Sequence, residues 1–106
     1  MMNQEDWDGI SEMMGETVVD KESHRIGKVD GVAEESTTMK PTFIVVKTSL
    51  FGRRRLVPLA SAEEREGIVH VPFSKQFVLD APVPQVVFSC SLNEEAALTR
   101  YYGNAA

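Results

Sequence analysis

The stretch from Arg25 to Glu34 reads Arg-Ile-Gly-Lys-Val-Asp-Gly-Val-Ala-Glu, and its interpretation decides the fold. Its large apolar residues recur at every third position, at Ile26, Val29 and Val32. That spacing is compatible with a helix. Against a helix stand Gly27 and Gly31, because each glycine is unfavourable by about 1 kcal/mol relative to alanine inside a helix. Glycine within a strand is typical of a bulge that bends it. We therefore predict a bent β-strand, with a helix as the competing interpretation.

The residues that follow contain the clearest strand pattern. Thr42 to Thr48 (Thr-Phe-Ile-Val-Val-Lys-Thr) is mostly apolar on both alternating faces, which predicts a central strand. Shorter β-like runs cover residues 17–19, 53–59 and 68–73. Short strands at close spacing favour a small antiparallel β-barrel, which we assign to residues 14–90. The predicted fold class is therefore mainly β.

Two helical segments carry recognisable start signals. Ser74 is a good N-cap for a single turn from Lys75 to Leu79. Ser91 and Glu94 match a capping box, which predicts a helix from about Leu92 to Tyr102 that ends at Gly103. We assign residues 91–103 to this C-terminal helix, packed on the barrel or on a partner.

The C-terminal helix would carry an apolar face at helical spacing. This face includes Leu98, Tyr101 and Tyr102. Three interpretations are open for it: cover for the barrel, a ligand cage, or a contact with a second copy of the chain. Because a small barrel has open edges and a small core, we predict a homodimer.

Length and composition define the class of protein. The chain has 106 residues, of which 42% are hydrophobic and 25% are charged, as expected for one globular domain. The longest apolar run, Phe43 to Val46, is far too short to span a membrane. No basic-then-apolar leader begins the sequence, so we expect a cytoplasmic protein without membrane insertion.

The charges are unevenly distributed, with a formal net charge of −5. Residues 1–20 contain no basic residue and these acids: Glu5, Asp6, Asp8, Glu12, Glu16 and Asp20. Residues 1–13 have only Trp7 and Ile10 as apolar anchors besides methionine, and they show no clear period. We predict that they form an acidic, mobile or only partly docked arm.

A basic central stretch is the sharpest candidate site. Residues 42–60 contain no acid and these bases: Lys47, Arg53, Arg54 and Arg55. On a strand, Arg53 and Arg55 point one way and Arg54 points the other. The arginines either protect an edge strand from unwanted pairing or, together with Lys47, bind an anion or an acidic partner.

The other reactive side chains favour structural roles. His24 and His70 lie in no cluster with metal-ligand spacing, so we interpret them as solvated or packed histidines. Cys90, the single cysteine, is interpreted as a small, semi-buried apolar residue. We recognise neither a nucleophile elbow nor a phosphate-binding loop, and we predict no catalytic residue, metal or cofactor.

The ordered motifs resemble the PRC-barrel domain, over roughly residues 14–103. They are Gly15-Glu16-Thr17-Val18-Val19-Asp20, Arg25-Ile26-Gly27-Lys28-Val29-Asp30-Gly31-Val32, Phe43-Ile44-Val45-Val46-Lys47, Leu50-Phe51-Gly52-Arg53, Val57-Pro58-Leu59, Val69-His70-Val71-Pro72-Phe73, the segment 75–82 and Tyr101-Tyr102-Gly103. The terminal helix looks most like that of small stand-alone bacterial members. Two positions depart from the pattern: the family usually has a glycine near Ser23 and another near Met39.

The resemblance implies a compact antiparallel barrel that serves as an assembly surface. This fold is shared by the photosynthetic reaction-centre H subunit and by the C-terminal half of the ribosome maturation factor. Members dock on larger complexes, and the family has no defined catalytic residues.

Three functional hypotheses follow. The first is a non-enzymatic protein-interaction or adaptor module. The second is an RNA- or ribosome-associated factor that uses the basic region 47–55, with salt-sensitive binding as its signature. The third, an enzyme or small-ligand binder, ranks lowest because a barrel this small is normally filled by its own side chains.

Overall fold

The structure, a computed structural model, describes residues 4–49 and 52–105, and the side chains of residues 4–8 lie outside this description. Leu50 and Phe51 of the family-like motif and the Trp7 side chain are therefore not among the described parts. The helices are α1 (Gln4–Met13), α2 (Lys75–Leu79) and α3 (Leu92–Gly103), with a 3-10 turn at Leu59–Ser61. The strands are β1 (Thr17–Val19), β2 (Arg25–Glu35), β3 (Pro41–Lys47), β4 (Arg54–Pro58), β5 (Glu63–Arg65), β6 (Ile68–His70) and β7 (Ser89–Cys90).

The strands form one mixed sheet in the order β4-β3-β2-β1-β6-β5, and β7 pairs with β2. The prediction of a mainly β fold is confirmed. The purely antiparallel arrangement is wrong, because β1 pairs in parallel with β6 and β2 pairs in parallel with β7. A closed barrel is not shown, since β4 and β5 end the sheet without pairing with each other among the described residues.

Strand β2 confirms the bent-strand interpretation of the opening stretch. Its pairing with β3 shifts register between Val29 and Gly31, and again between Ala33 and Glu34. These irregularities let one 11-residue strand pair with β3, β1 and β7. The three-residue apolar spacing therefore reflects a bulged strand and not a helix.

Strand β3 is central, as its two apolar faces predict. It lies between β2 and β4, and all four residues from Phe43 to Val46 are buried. Strand β4, which carries two of the arginines, lies at the end of the sheet. Its neighbouring residues Leu56 and Val57 point to opposite faces and are both buried in the same core as β3, so both faces of this strand are covered there.

The N-terminal arm contains helix α1, which the sequence pattern did not predict. Ile10 and Met13 are buried in the core, and they lie one helical turn apart. The backbone N–H of Gly15 donates to the carbonyl of Val29 and anchors the end of the helix on β2. Residues 1–13 show no clear helical period in the sequence. The helix is recognisable only from the tertiary contacts of Ile10 and Met13.

The cap signals of the other helices are confirmed. Ser74 Oγ accepts the backbone N–H of Phe77 at the start of α2. The Ser91 hydroxyl and the Glu94 carboxylate form the reciprocal capping box of α3. The helix ends at Gly103 as predicted, and Asn104 is its C-cap. Strands β5 and β7 were not predicted, because their polar residues become strands only by pairing with β6 and β2.

Two buried carboxylates hold the turns around β2. Asp20 accepts the backbone N–H groups of Glu22, His24 and Lys75. Glu35 accepts those of Thr37 and Thr38. These turns contain Ser23 and Met39, whose φ angles of 66° and 57° lie in the left-handed region that favours glycine. The two departures from the family pattern therefore keep a glycine-like backbone without glycine.

Candidate functional site

A basic surface groove lies where β2 and β3 meet. Its volume is about 380 Å³, and among the described residues it is lined by Arg25, Lys28, Lys47 and Ser49. The two β2 cations are exposed, and Lys47 is half-buried at the end of β3. No carboxylate lines the described part of this groove, so its local charge is opposite in sign to the net charge of the chain.

The sheet register places three cations side by side. Lys28 on β2 is the direct partner of Lys47 on β3, and Lys47 is the direct partner of Arg54 on β4. Neighbouring strands lie about 4.8 Å apart, so these positions span roughly 10 Å of one face. Like charges directly opposite each other destabilise a sheet. We call Arg25, Lys28, Lys47 and Arg54 the basic row.

Gly27 allows β2 to approach the end of β3. A β-carbon at Gly27 would lie 2.2 Å from the carbonyl oxygen of Lys47 and 2.9 Å from the Cα of Thr48. Both atoms belong to the backbone, which cannot move aside cheaply. A glycine is therefore required beside Lys28 to keep the backbone of Lys47 at this position.

Arg54 has two neighbours within the chain. Its guanidinium pairs with the carboxylate of Asp30, a residue at the β2 bulge without a direct partner on β3. The same guanidinium lies over the ring of Phe88, 5.6 Å from the ring centroid. The other ion pairs of the described residues join Asp20 to His24 and Glu63 to Arg65, so none involves Arg25, Lys28 or Lys47. Arg54 is thus the one partly neutralised member of the basic row.

The arginine triplet does not act as one group. Arg55 Nε donates to the carbonyl of Leu79 at 2.9 Å, at the C-terminal end of α2, where a cation is favourable. Arg53 is exposed, and its carbonyl accepts the hydroxyl of Thr48 at 3.0 Å. The structure therefore brings Arg54 together with Lys47, whereas Arg55 serves the packing of α2 against β4.

Sequence reasoning missed Arg25 and Lys28. A signal for Lys28 was present, since Lys28 and Lys47 each lie six residues from the pair Glu34–Pro41 that begins the β2–β3 hairpin. The two register shifts between these pairs cancel. Counting outward from the turn would have matched the two lysines.

The apolar face of α3 is used within the chain. Leu98 and Tyr102 are buried, and the Tyr102 hydroxyl donates to the carbonyl of Leu56 at 2.6 Å. The Tyr101 hydroxyl donates to the carbonyl of Phe77 at 2.6 Å, and the two rings stack with centroids 4.4 Å apart. This face covers the chain's own β4 and α2. The homodimer remains a prediction, to be checked by sedimentation over a range of concentrations.

Of the remaining reactive groups, Asp20, Glu63 and His70 line a second surface pocket of about 380 Å³, and Cys90 is not among its lining residues. His24 Nδ1 lies 3.4 Å from Asp20 Oδ2. His70 on β6 lies opposite Glu63 on β5 in the sheet register. Cys90 is fully buried, and burial together with Glu94 and Glu95 raises the pKa of its thiol to about 11. A thiol with such a pKa is a poor nucleophile near neutral pH. Among the described residues, no three His, Cys, Asp or Glu side chains are arranged to hold a metal ion.

The acidic charge collects near α1. Burial and the neighbouring carboxylates of Glu64 and Glu12 raise the pKa of Glu16 above its ordinary value. Glu16 Oε1 is buried and has no hydrogen-bond partner among the described residues. The strand pair β1–β2 thus has a carboxylate-rich neighbourhood at Glu16, while β2 and β3 carry the basic row.

Comparison with known proteins gives a loose likeness of fold. No protein-family model and no curated protein matches the chain. Among solved structures, it is similar to a putative 16S ribosomal RNA processing protein RimM from Pseudomonas aeruginosa, with 24% identity and a TM-score of 0.49. The similarity covers 63% of this chain and 44% of the RimM chain, so less than half of the length of the RimM chain is matched. This degree of likeness carries no argument for an activity or a partner.

Membrane insertion through a helix finds no support in the described residues. None of their helices is both long and apolar enough to cross a bilayer.

Proposed function

We propose that this chain is a non-enzymatic RNA-binding module of the PRC-barrel type and that it binds RNA phosphates through the basic row. The observation that carries the proposal is the alignment of Lys28, Lys47 and Arg54 across three strands. Lys28 and Lys47 face each other in register without an ion-pair partner among the described residues, which is unfavourable for the sheet itself, and a bound polyanion would relieve that repulsion. Clustered cations on a rigid surface are what phosphate contact requires.

The net charge of −5 does not exclude this proposal. Exposed charges are largely screened beyond about 8 Å at physiological ionic strength. A phosphate at the basic row would therefore respond mainly to the cations that surround it. The acidic neighbourhood of Glu16 would limit the contact to this one face.

The barrel assignment is part of the same proposal. The order of the family-like motifs supports it, and so do the left-handed conformations of Ser23 and Met39 near the positions where the family usually has glycine. A sheet with bulges along β2 is compatible with a barrel in which the end strands β4 and β5 do not pair with each other.

The test is the affinity for a labelled single-stranded RNA, measured by fluorescence anisotropy over a range of salt concentrations. If three phosphates are contacted, log K should fall with log salt at a slope of about −2, from roughly −0.7 per phosphate of a single strand. The double variant Lys28→Gln with Lys47→Gln should lose most of the binding and most of the salt dependence. Unchanged affinity in this variant would overturn the proposal.

The matched control removes two charges elsewhere, with Lys40→Gln and Arg100→Gln at exposed positions. It should bind RNA as the wild type does. Arg55 is unsuitable for this comparison, because its contact with Leu79 makes it part of the packing of α2.

A protein-docking adaptor is the second candidate function, favoured by exposed apolar side chains near α3. Val83, Val86 and Leu92 are 41%, 61% and 62% exposed. If this surface carries the function, Val86→Ser with Leu92→Ser should abolish capture of a protein partner from the native cells. The basic-row variant should then leave capture intact.

A further inference from the structure

An exposed aromatic ring lies at one end of the basic row. Phe88 is 43% exposed although it is a large apolar residue. The guanidinium of Arg54 lies over its ring, so the ring and the last cation of the row form one continuous surface. Sequence patterns give Phe88 no role, and it lies within the proline-containing segment that precedes β7.

The ring is held in place by the sheet. A β-carbon at Gly31 would lie 2.8 Å from Phe88 Cε1, so the absence of a side chain at Gly31 makes the space that the ring occupies. The carbonyl of Phe88 accepts the backbone N–H of Glu34 at 3.1 Å, and Ser89 and Cys90 then pair with β2. The backbone of Phe88 is therefore tied to β2 by a hydrogen bond, and its ring lies against Gly31.

We propose that the basic row and Phe88 together bind single-stranded RNA, with one base stacked on the Arg54–Phe88 pair and the backbone following Lys47 and Lys28. This inference rests on the proposed function. Single-strand binders combine cations that follow the phosphates with aromatic rings on which bases stack. Arginine planes serve as stacking surfaces for bases as well.

The same surface disfavours the other polyanions. A duplex keeps its bases stacked on each other, so it would contact the cations and leave the ring unused. An acidic protein segment would form ion pairs with the cations, but its carboxylates would gain little from stacking on the aromatic ring. The pairing of ring and cation therefore selects a ligand that offers both negative charge and free planar groups.

The experiment compares Phe88→Leu with the wild type on four probes: a single-stranded RNA, an abasic strand with the same number of phosphates, an RNA duplex and a poly-glutamate peptide. Leucine keeps an apolar contact with Gly31 and removes the aromatic plane. We expect about tenfold weaker binding of the single strand. Binding of the abasic strand and the slope of log K against log salt should not change. Phe88→Tyr should restore the affinity, and Met14→Ala, an exposed apolar control outside both proposed binding surfaces, should have no effect.

The outcomes separate the two proposals. If Phe88→Leu binds the single strand as the wild type does, the stacking inference is overturned, while loss of binding in the Lys28→Gln/Lys47→Gln variant would still support the basic row. If the duplex or a poly-glutamate peptide binds as tightly as the single strand, the ligand class is wrong. If the wild type binds none of the nucleic-acid probes, both proposals fail. Circular dichroism and thermal unfolding of each variant exclude loss of the fold as the cause.

Discussion

The carboxylate of Asp20 accepts the backbone N–H of Lys75 at 3.2 Å, across 55 residues of sequence. This contact joins the turn between β1 and β2 to the first turn of α2, so one buried acid organises two elements that are distant in the chain. Burial opposes its ionisation, but hydrogen bonds from the N–H groups of His24, Glu22 and Lys75 outweigh burial and lower the pKa of Asp20 below its ordinary value of 3.8.

Asp20→Asn should reduce the free energy of unfolding at pH 7 by about 2 kcal/mol, in the range for hydrogen bonds to a charged group. The amide removes the charge and turns a donor toward the N–H of Lys75. Because the folded-state pKa is depressed, the stabilisation is present above pH 4 and is lost as the pH falls through the folded value. Urea unfolding at pH 7 and pH 3 should show the difference shrinking in acid. A gap that is equal at both pH values would contradict this role. Asp80→Asn is the control, since among the described residues the Asp80 carboxylate accepts a single, exposed hydrogen bond from Gln76.

Met39→Gly should increase the free energy of unfolding by up to about 1 kcal/mol. A left-handed conformation costs a residue with a side chain roughly 1–2 kcal/mol, and glycine removes this cost. Part of the gain is lost again, because glycine gives the unfolded chain more conformational entropy. Met39 has a φ of 57° and is 68% exposed, so little packing is lost. The neighbouring Lys40→Gly, at a position without positive φ, should decrease stability instead. Chemical denaturation of both variants checks the sign; a loss at Met39 as large as at Lys40 would refute the explanation.

Gly27→Ala should destabilise the fold by about 1–3 kcal/mol, as overpacking does, because the new methyl group meets the backbone of Lys47 and Thr48. It should also weaken RNA binding by displacing Lys47 from the basic row. Gly103→Ala is the matched control: a β-carbon there meets no atom within 4 Å, and alanine is the better helix residue. Thermal unfolding and anisotropy give the two readouts, and a Gly27→Ala variant as stable as the wild type would disprove the close approach.

Tyr102→Phe should cost about 1–2 kcal/mol, because the buried carbonyl partner on Leu56 loses its donor. Tyr101→Phe removes a hydrogen bond of the same length to Phe77, but in a part-buried setting, so its cost should be smaller. Equilibrium unfolding of the two variants compares them directly. The ranking would be wrong if Tyr101→Phe proved the more damaging change.

Local patterns predicted several elements because neighbouring residues supply the contacts. The capping box of Ser91 with Glu94 and the N-cap at Ser74 are confirmed, since both bonds lie within one helical turn. The apolar faces of residues 42–48 predicted a central strand for the same reason. Helix α1 was missed, because its stabilising contacts at Ile10 and Met13 are made with distant parts of the chain.

The candidate site was only partly predictable. Lys47 and Arg54 were proposed together and do meet, but Arg55 points to α2, and Arg25 and Lys28 join from a strand that sequence reasoning left out of the site. Alternation along a strand gives the side on which a residue lies. It does not give the partner across the sheet, which depends on bulges.

The sequence by itself determined the mainly β class, the bent β2, the helix caps and the separation of an acidic N-terminal region from a basic centre. These follow from composition, periodicity and contacts within a few residues. The tertiary structure alone decided that Lys28, Lys47 and Arg54 are direct neighbours across three strands, that Phe88 lies over Gly31 beside Arg54, and that Asp20 reaches α2. Each of these relationships joins residues far apart in the chain, so contacts within a few residues could not determine it. The absence of a side chain at Gly27 and Gly31 permits the close approaches at Lys47 and Phe88.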